Sequence, residues 1–368
     1  MFPVMQSASR LNGILFCVML AALFVYSLPS VLRFAQQQDD TLSLFLDGQL
    51  IRRFAQAYDR EFPLRQPSIA AWANLQYLVF GEGSSGVILG HDGWLFSNEE
   101  YRIPNAYDAV VEQHLARIRS VQQRLQAENK QLILVPVPMK VDIYSDHATR
   151  EPDQRAIALY NTFIDRLQSL NIQVTPLRDA FLANKDQQPL FLRSDTHWSP
   201  QGARLAAREF ARLNPQLVGQ SRYESRQLTE KAIKGDLQNF LLFSAALQPE
   251  LFNVEAIPAY ETAPVEQPLD ADLLFSDSEQ SIMLVGSSYT KIDDWNFPGF
   301  LREALQSDLL TTAVEAHGPF HAMDQFLSSE TDRQDIHTVI WEFPVRTLLT
   351  RQSDPFSASA PVAPAPVL

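Results

Sequence analysis

The chain has 368 residues, 46% hydrophobic and 20% charged, which excludes wholesale disorder and suits two domains of roughly 150 residues or one large α/β domain with appendages. Thirty lysines and arginines against forty-three aspartates and glutamates leave a net charge of −13, a field that repels phosphate backbones and excludes nucleic acid as the expected partner. The one cysteine, Cys17, excludes intramolecular disulfides and multi-cysteine metal sites.

No charged residue occurs between Leu11 and Leu32, and a helix of that length crosses a hydrocarbon core of about 30 Å. Residues 11–33 therefore read as an uncleaved signal anchor, preceded by a short cytoplasmic tail, residues 1–10. A cleaved signal peptide is the rival reading, for which Ser27, Pro29 and Ser30 offer only a weak small-residue pattern. Arg10 and Arg33 flank the segment and do not set its orientation; the shortness of the tail favours placing the rest of the chain outside the cytoplasm.

Residues 34–85 read as a helical linker region. Leu50, Phe54 and Tyr58 share one face of a first helix, and Pro63 and Pro67 separate it from a second. A β-hairpin follows: residues 87–89, a Gly90-His-Asp-Gly93 turn, and residues 94–96. The chain then alternates. Helices are expected at 109–128, 155–170, 200–213 and around 297–305, and short apolar strands at 132–135, 172–174, 282–285 and 338–343. Such alternation predicts an α/β domain, here residues 86–350, with a mainly parallel sheet covered on both faces. The polar, weakly periodic stretch 215–277 reads as an insertion or lid, and the Pro/Ala-rich end, residues 351–368, as a disordered tail.

Some tempting signals fail on physical grounds. Gly81-Glu-Gly-Ser-Ser-Gly86 matches the dinucleotide fingerprint by letters, but it follows a helix and precedes a strand, the reverse of what a pyrophosphate site needs. His317 and His321 have the spacing of a helical metal pair, but Gly318 and Pro319 between them break that helix. His91, His114 and His147 read as surface or internally satisfied residues. No metal or cofactor is expected.

Two motifs carry chemistry. Asp195-Thr-His-Trp198 follows the apolar piece 189–192 and precedes the helix at Pro200; at a strand exit, Asp195 can orient His197 and stabilise its protonated form. Gly286-Ser-Ser-Tyr289 follows the apolar strand 282–285, where a glycine allows a sharp turn that presents a serine at the carboxyl end of the sheet. Each motif alone also reads blandly, as a helix cap or a common turn. Together they make a Ser-His-Asp set of Ser288, His197 and Asp195. The Ser288 backbone N–H and a side chain near Trp295-Asn296 are candidate donors to a tetrahedral oxygen. Lys140, Tyr144, Trp198, Tyr289, Trp295 and Asn296 are candidates for holding a substrate, with rim packing the equally plain alternative.

Five motifs then appear in order: Gly90-His-Asp-Gly-Trp-Leu-Phe96, Val135-Pro-Val-Pro-Met-Lys140, Asp195-Thr-His-Trp198, Gly286-Ser-Ser-Tyr289 with Trp295-Asn-Phe297, and Trp341-Glu-Phe-Pro344. From about Asp47 to Arg346 the chain resembles the AlgJ and AlgX proteins of alginate O-acetylation, a family similar to SGNH hydrolases and related to proteins of cellulose acetylation. The Asp-x-His precedes the serine, the reverse of ordinary SGNH enzymes, and the layout is more like AlgJ. The resemblance implies a three-layer SGNH hydrolase-like sandwich and a periplasmic, inner-membrane-anchored exopolysaccharide O-acetyltransferase. It further implies Ser288 as nucleophile, His197 as base and Asp195 as orienting carboxylate. The partners it implies are an exopolysaccharide acceptor, a membrane-bound O-acyltransferase supplying acetyl groups and other periplasmic acetylation proteins. Ser287 stands where hydrolases of the wider group usually carry aspartate. An acetylesterase with the same triad, or a non-catalytic polysaccharide-binding scaffold, are the alternatives.

Overall fold

The computed structural model describes residues 4–36, 41–61, 65–265, 281–315, 318–329 and 334–350. The expected disordered tail, His317 and the last part of the expected insertion, residues 266–277, lie outside the described residues. The chain divides into two units, one of residues 1–79 with 242–244 and one of residues 80–241 with 245–368.

The described part of the first unit is helical, with helices Val4–Gln36, Thr41–Leu46, Gln49–Glu61 and most of Arg65–Phe80. The segment Arg10–Phe34, 25 residues, is long and apolar enough to cross a membrane, with a mean hydropathy of 2.3 in its best window. Phe54 meets Phe34 edge-on at 5.4 Å and lies 5.7 Å from the tilted ring of Tyr58, so Phe54 of the expected apolar face packs on the end of the long helix. Pro67 lies in the first turn of Arg65–Phe80, where a missing N–H costs nothing, and not between two helices.

In the second unit the hairpin forms as β1 (Val87–Leu89) and β2 (Leu95–Ser97), antiparallel, with Asp92 and Gly93 of the turn at φ of 55° and 78°. The main sheet comprises β3 (Gln131–Val137), β4 (Gln173–Val174), β7 (Ser281–Gly286), β8 (Leu309–Ala313) and β9 (Ile336–Pro344). Its order is β4-β3-β9-β7-β8, and every pairing is parallel. Nearly every residue of β3, β7 and β9 is buried, so the apolar runs did not need to alternate: both faces are covered by helices. This is the SGNH hydrolase-like three-layer arrangement. The intervening helices are Tyr107–Ala127, Gln154–Ser169, Pro200–Leu213 and Phe297–Leu305, the last two with the bounds expected from sequence.

Between them, β5 (Tyr223–Ile233) and β6 (Glu255–Pro264) form a separate antiparallel ribbon. Most of β5 is exposed, which explains why this stretch reads as polar and aperiodic although it is ordered as strands. The apolar piece 189–192 is not a strand of the sheet. Its backbone joins only an isolated bridge, Phe191 to Trp198, so the expectation that Asp195 sits at a strand exit is corrected: the motif closes a small loop on itself.

Candidate active site

The parallel register pairs Val285 of β7 with Trp341 of β9, so the next residues, Gly286 and Glu342, are neighbours at the carboxyl edge of the sheet. A Cβ on Gly286 would lie 2.2 Å from Thr290 Oγ1 and 2.8 Å from Glu342 Oε2. The glycine is needed for this close approach and not for a positive φ, which corrects the sharp-turn reading. Ser287 then caps the short helix Ser288–Lys291, its Oγ accepting the Tyr289 N–H at 3.2 Å. Glu342 accepts the Ser287 N–H at 2.9 Å, the Ser287 hydroxyl at 2.8 Å and the Thr290 hydroxyl at 2.8 Å. Burial raises the Glu342 carboxyl above the usual range, against the pull of these donors.

Across from this elbow, His197 Nε2 lies 2.7 Å from Ser288 Oγ, and its Nδ1 lies 2.6 Å from Asp195 Oδ1. That carboxylate oxygen also accepts the His197 N–H at 2.9 Å, while Oδ2 accepts the Asp236 N–H at 2.8 Å. Burial pushes the Asp195 carboxyl up, but the His197 hydrogen bond and charge, with the two backbone donors, outweigh it and hold the group below the usual range. The arrangement fixes the tautomer: with Nδ1–H donated to Asp195, Nε2 is free to accept from the serine hydroxyl.

The loop that carries His197 is pinned by side chains. Asp236 accepts the Thr196 N–H at 2.8 Å and the Thr196 hydroxyl at 2.5 Å, and its carboxyl is raised by burial and by the charge of Asp195. Glu255 accepts the N–H groups of Arg193 and Ser194 at 2.9 and 2.8 Å. The Tyr289 hydroxyl donates to the Thr196 carbonyl at 2.5 Å and accepts from Arg346 Nη1 at 2.5 Å. Among the described residues, Asp195, His197 and Asp236 are the one cluster whose ligand-type atoms lie close enough to hold a cation, within 4.8 Å. Those atoms already pair with one another and with Thr196.

Most of the candidate substrate residues prove to be packing. Lys140 is 1% exposed and its ammonium donates to the carbonyls of Leu95, Arg193 and Asp195 at 2.5, 2.8 and 2.9 Å; burial lowers its pKa to about 8. It braces the loop from below and has no surface for a sugar. The Tyr144 hydroxyl accepts the Leu190 N–H, and its ring packs on Trp94. Trp198 is fully buried and donates to the Tyr289 carbonyl, and Tyr289 is equally enclosed. Trp295, also buried, stacks on the His197 ring at 5.6 Å, and Asn296 donates its side-chain N–H to Thr262 Oγ1. Instead, Ser288 and His197 open into a cavity of about 750 Å³ lined also by Thr196, Asp236, Phe240 and Arg102. Sequence reasoning missed Asp236, Glu255, Glu342 and Phe240. The one available signal was Glu342, a carboxylate inside an otherwise apolar strand.

Residues 87–345 match the family described as "SGNH hydrolase-like domain, acetyltransferase AlgX". A Pseudomonas fluorescens protein named "Probable alginate O-acetylase AlgJ" is 36% identical over 348 residues, covering 91% of this chain and 86% of that protein. Its namesake in Pseudomonas aeruginosa is 36% identical over 346 residues, covering 90% of this chain and 87% of that one. The solved O-acetyltransferase domain of Pseudomonas putida AlgJ superposes with a TM-score of 0.66 at 32% identity, over 74% of this chain and 95% of that domain. Overall identity at this level, over a shared sheet and nearly the whole length of the relatives, places the chain in the SGNH hydrolase-like AlgX/AlgJ acetyltransferase family.

Proposed function

We propose that the protein is an acyltransferase that moves acetyl groups onto an exopolysaccharide through an acetyl-Ser288 intermediate. The observation that carries this is the chain of short contacts from Asp195 through His197 to Ser288, at 2.6 and 2.7 Å, open to a cavity large enough for sugar rings. As Ser288 Oγ attacks the acetyl carbonyl, its proton passes to His197 Nε2, and the imidazolium is stabilised by Asp195. The backbone N–H of Ser288, at the first turn of the helix Ser288–Lys291, is the donor proposed for the developing oxyanion. Collapse breaks the bond to the donor's leaving group, which takes the proton from His197 and leaves acetyl-Ser288. A sugar hydroxyl then gives its proton to His197 Nε2 and attacks the same carbonyl. On collapse the C–O bond to Ser288 breaks, the proton returns to Ser288 Oγ, and the sugar ester departs.

The relatives named for alginate support alginate or a similar polymer, such as cellulose, as acceptor. The apolar segment Arg10–Phe34 supports anchoring in the inner membrane, with the catalytic unit in the periplasm. In that setting a membrane-bound O-acyltransferase would supply the acetyl groups, alongside other periplasmic acetylation proteins.

The test uses an activated acetyl ester as donor and an oligosaccharide as acceptor. Mass spectrometry should find acetyl on Ser288 and then on the sugar, with added acceptor speeding clearance of the acetyl-enzyme. If all acetyl leaves as free acetate and acetylated polymer is stripped on incubation, the protein is an esterase.

A further inference from the structure

A transferase of this kind must hold a sugar hydroxyl against acetyl-Ser288 in competition with water, and a pyranose presents a broad C–H face that an aromatic ring can cover. The aromatic rings packed around the triad offer no such surface, because Trp198, Tyr289, Trp295 and Phe297 are each 2% exposed or less. Phe240 is different. It is 45% exposed and is the one aromatic residue, among the described residues, that lines the same cavity as His197 and Ser288.

Two features hold its ring in place. First, it packs flat against Gly86: a Cβ there would lie 2.1 Å from Phe240 Cδ1 and 2.4 Å from Cε1, so the ring occupies the space a side chain would take. The Ser84 hydroxyl, moreover, donates to the Phe240 carbonyl. Second, the ring stands at the far end of the 3-10 turn Asp236–Phe240, whose first residue is hydrogen-bonded to Asp195 through its N–H and to Thr196 through its carboxylate. One five-residue turn thus ties an exposed aromatic face to the catalytic histidine loop. An apolar ring left in water at a catalytic cavity, yet fixed in position, is arranged to receive an apolar face.

We infer that Phe240 is the stacking platform for a pyranose ring of the acceptor polymer and sets how the acetyl-enzyme divides between sugar and water. The inference rests on the acetyl-Ser288 reading above. It does not concern the acetyl donor, whose small acyl group needs no ring.

The experiment measures the ratio of acetylated sugar to free acetate formed from an activated acetyl ester, with a mannuronate and a cello-oligosaccharide offered separately. Once the acetate formed without enzyme is subtracted, this ratio does not depend on how much of a preparation is folded. Phe240→Ala and Phe240→Leu should each lower it by about tenfold, Phe240→Trp should retain it, and Gly86→Ala, which displaces the ring, should behave like Phe240→Ala. An unchanged ratio in Phe240→Ala overturns the inference, as does a wild-type ratio in Phe240→Leu, which would mean that bulk and not the aromatic face matters. A wild type that yields only acetate with both acceptors removes the parent reading, and the inference with it. A working wild type with indifferent Phe240 variants removes the inference alone.

Discussion

Ser288 and His197 meet across 2.7 Å, yet the backbone on either side of that contact is held by different means. Ser288 follows β7, a strand hydrogen-bonded to β8 on one side and β9 on the other, so its position is inherited from a parallel ladder. The loop carrying His197 has no such ladder. It is bridged to itself at Phe191 and Trp198 and otherwise held by Lys140, Asp236, Glu255 and Tyr289, all from distant parts of the chain. A ladder shares its load over many equivalent bonds. A strut does not, and losing one leaves buried polar groups without partners.

The two supports meet at the Ser288–His197 contact, where the largest effect is expected. Ser288→Ala should abolish acetylation by about 10³-fold or more while the protein stays folded, since only the proposed nucleophile is lost. Acetylation assays with Ser287→Ala alongside decide the assignment: a harmless Ser288→Ala and a crippling Ser287→Ala would identify the other serine.

On the strut side, Lys140→Met should destabilise the catalytic unit by about 3 kcal/mol, because three carbonyls inside the protein lose a charged donor together. Denaturant unfolding measures this, and a loss below about 1 kcal/mol would mean the loop does not need its brace.

On the ladder side, Glu342→Gln should keep the sheet but shift the elbow, lowering turnover by about 10²-fold. The same variant carries a pH signature. Burial raises the Glu342 carboxyl, so the folded protein binds that proton more tightly than the unfolded chain does. This contribution to stability is present below the ordinary glutamate value of about 4.3 and is lost as pH rises through the raised value. Wild type should therefore lose stability relative to Glu342→Gln across that window. A stability difference that stays flat with pH would show the carboxyl is not raised.

The smallest effect is expected for Asp236→Asn, which keeps an acceptor for the Thr196 N–H and the backbone donor to Asp195. A fall of about tenfold in turnover, with little change in the KM for acceptor, marks a positioning role. A change confined to KM would instead place Asp236 against the sugar.

Much of this architecture was legible in the sequence, for a reason the two halves of the site make plain. Helices such as Pro200–Leu213 and strands such as β7 and β9 are written in local periodicity and local apolar runs, and the proposed catalytic residues sit in short motifs beside them. The ribbon of β5 and β6 escaped because an exposed strand has no apolar face to announce it. Local pattern likewise left Lys140, Trp198 and Tyr289 open between substrate contact and packing, since a lone chain gives no measure of burial.

By itself, then, the sequence determined the main helices, four of the five strands of the parallel sheet, the apolar N-terminal segment and which serine, histidine and aspartate stand in motifs. Tertiary structure alone decided that Glu342 comes level with Gly286, that Asp236 reaches Thr196 from forty residues away, and that Phe240 is the aromatic left facing the cavity. Each of those is a meeting of side chains far apart in the chain. Only the packing of the sheet and the ribbon sets which of them touch and which are left in water.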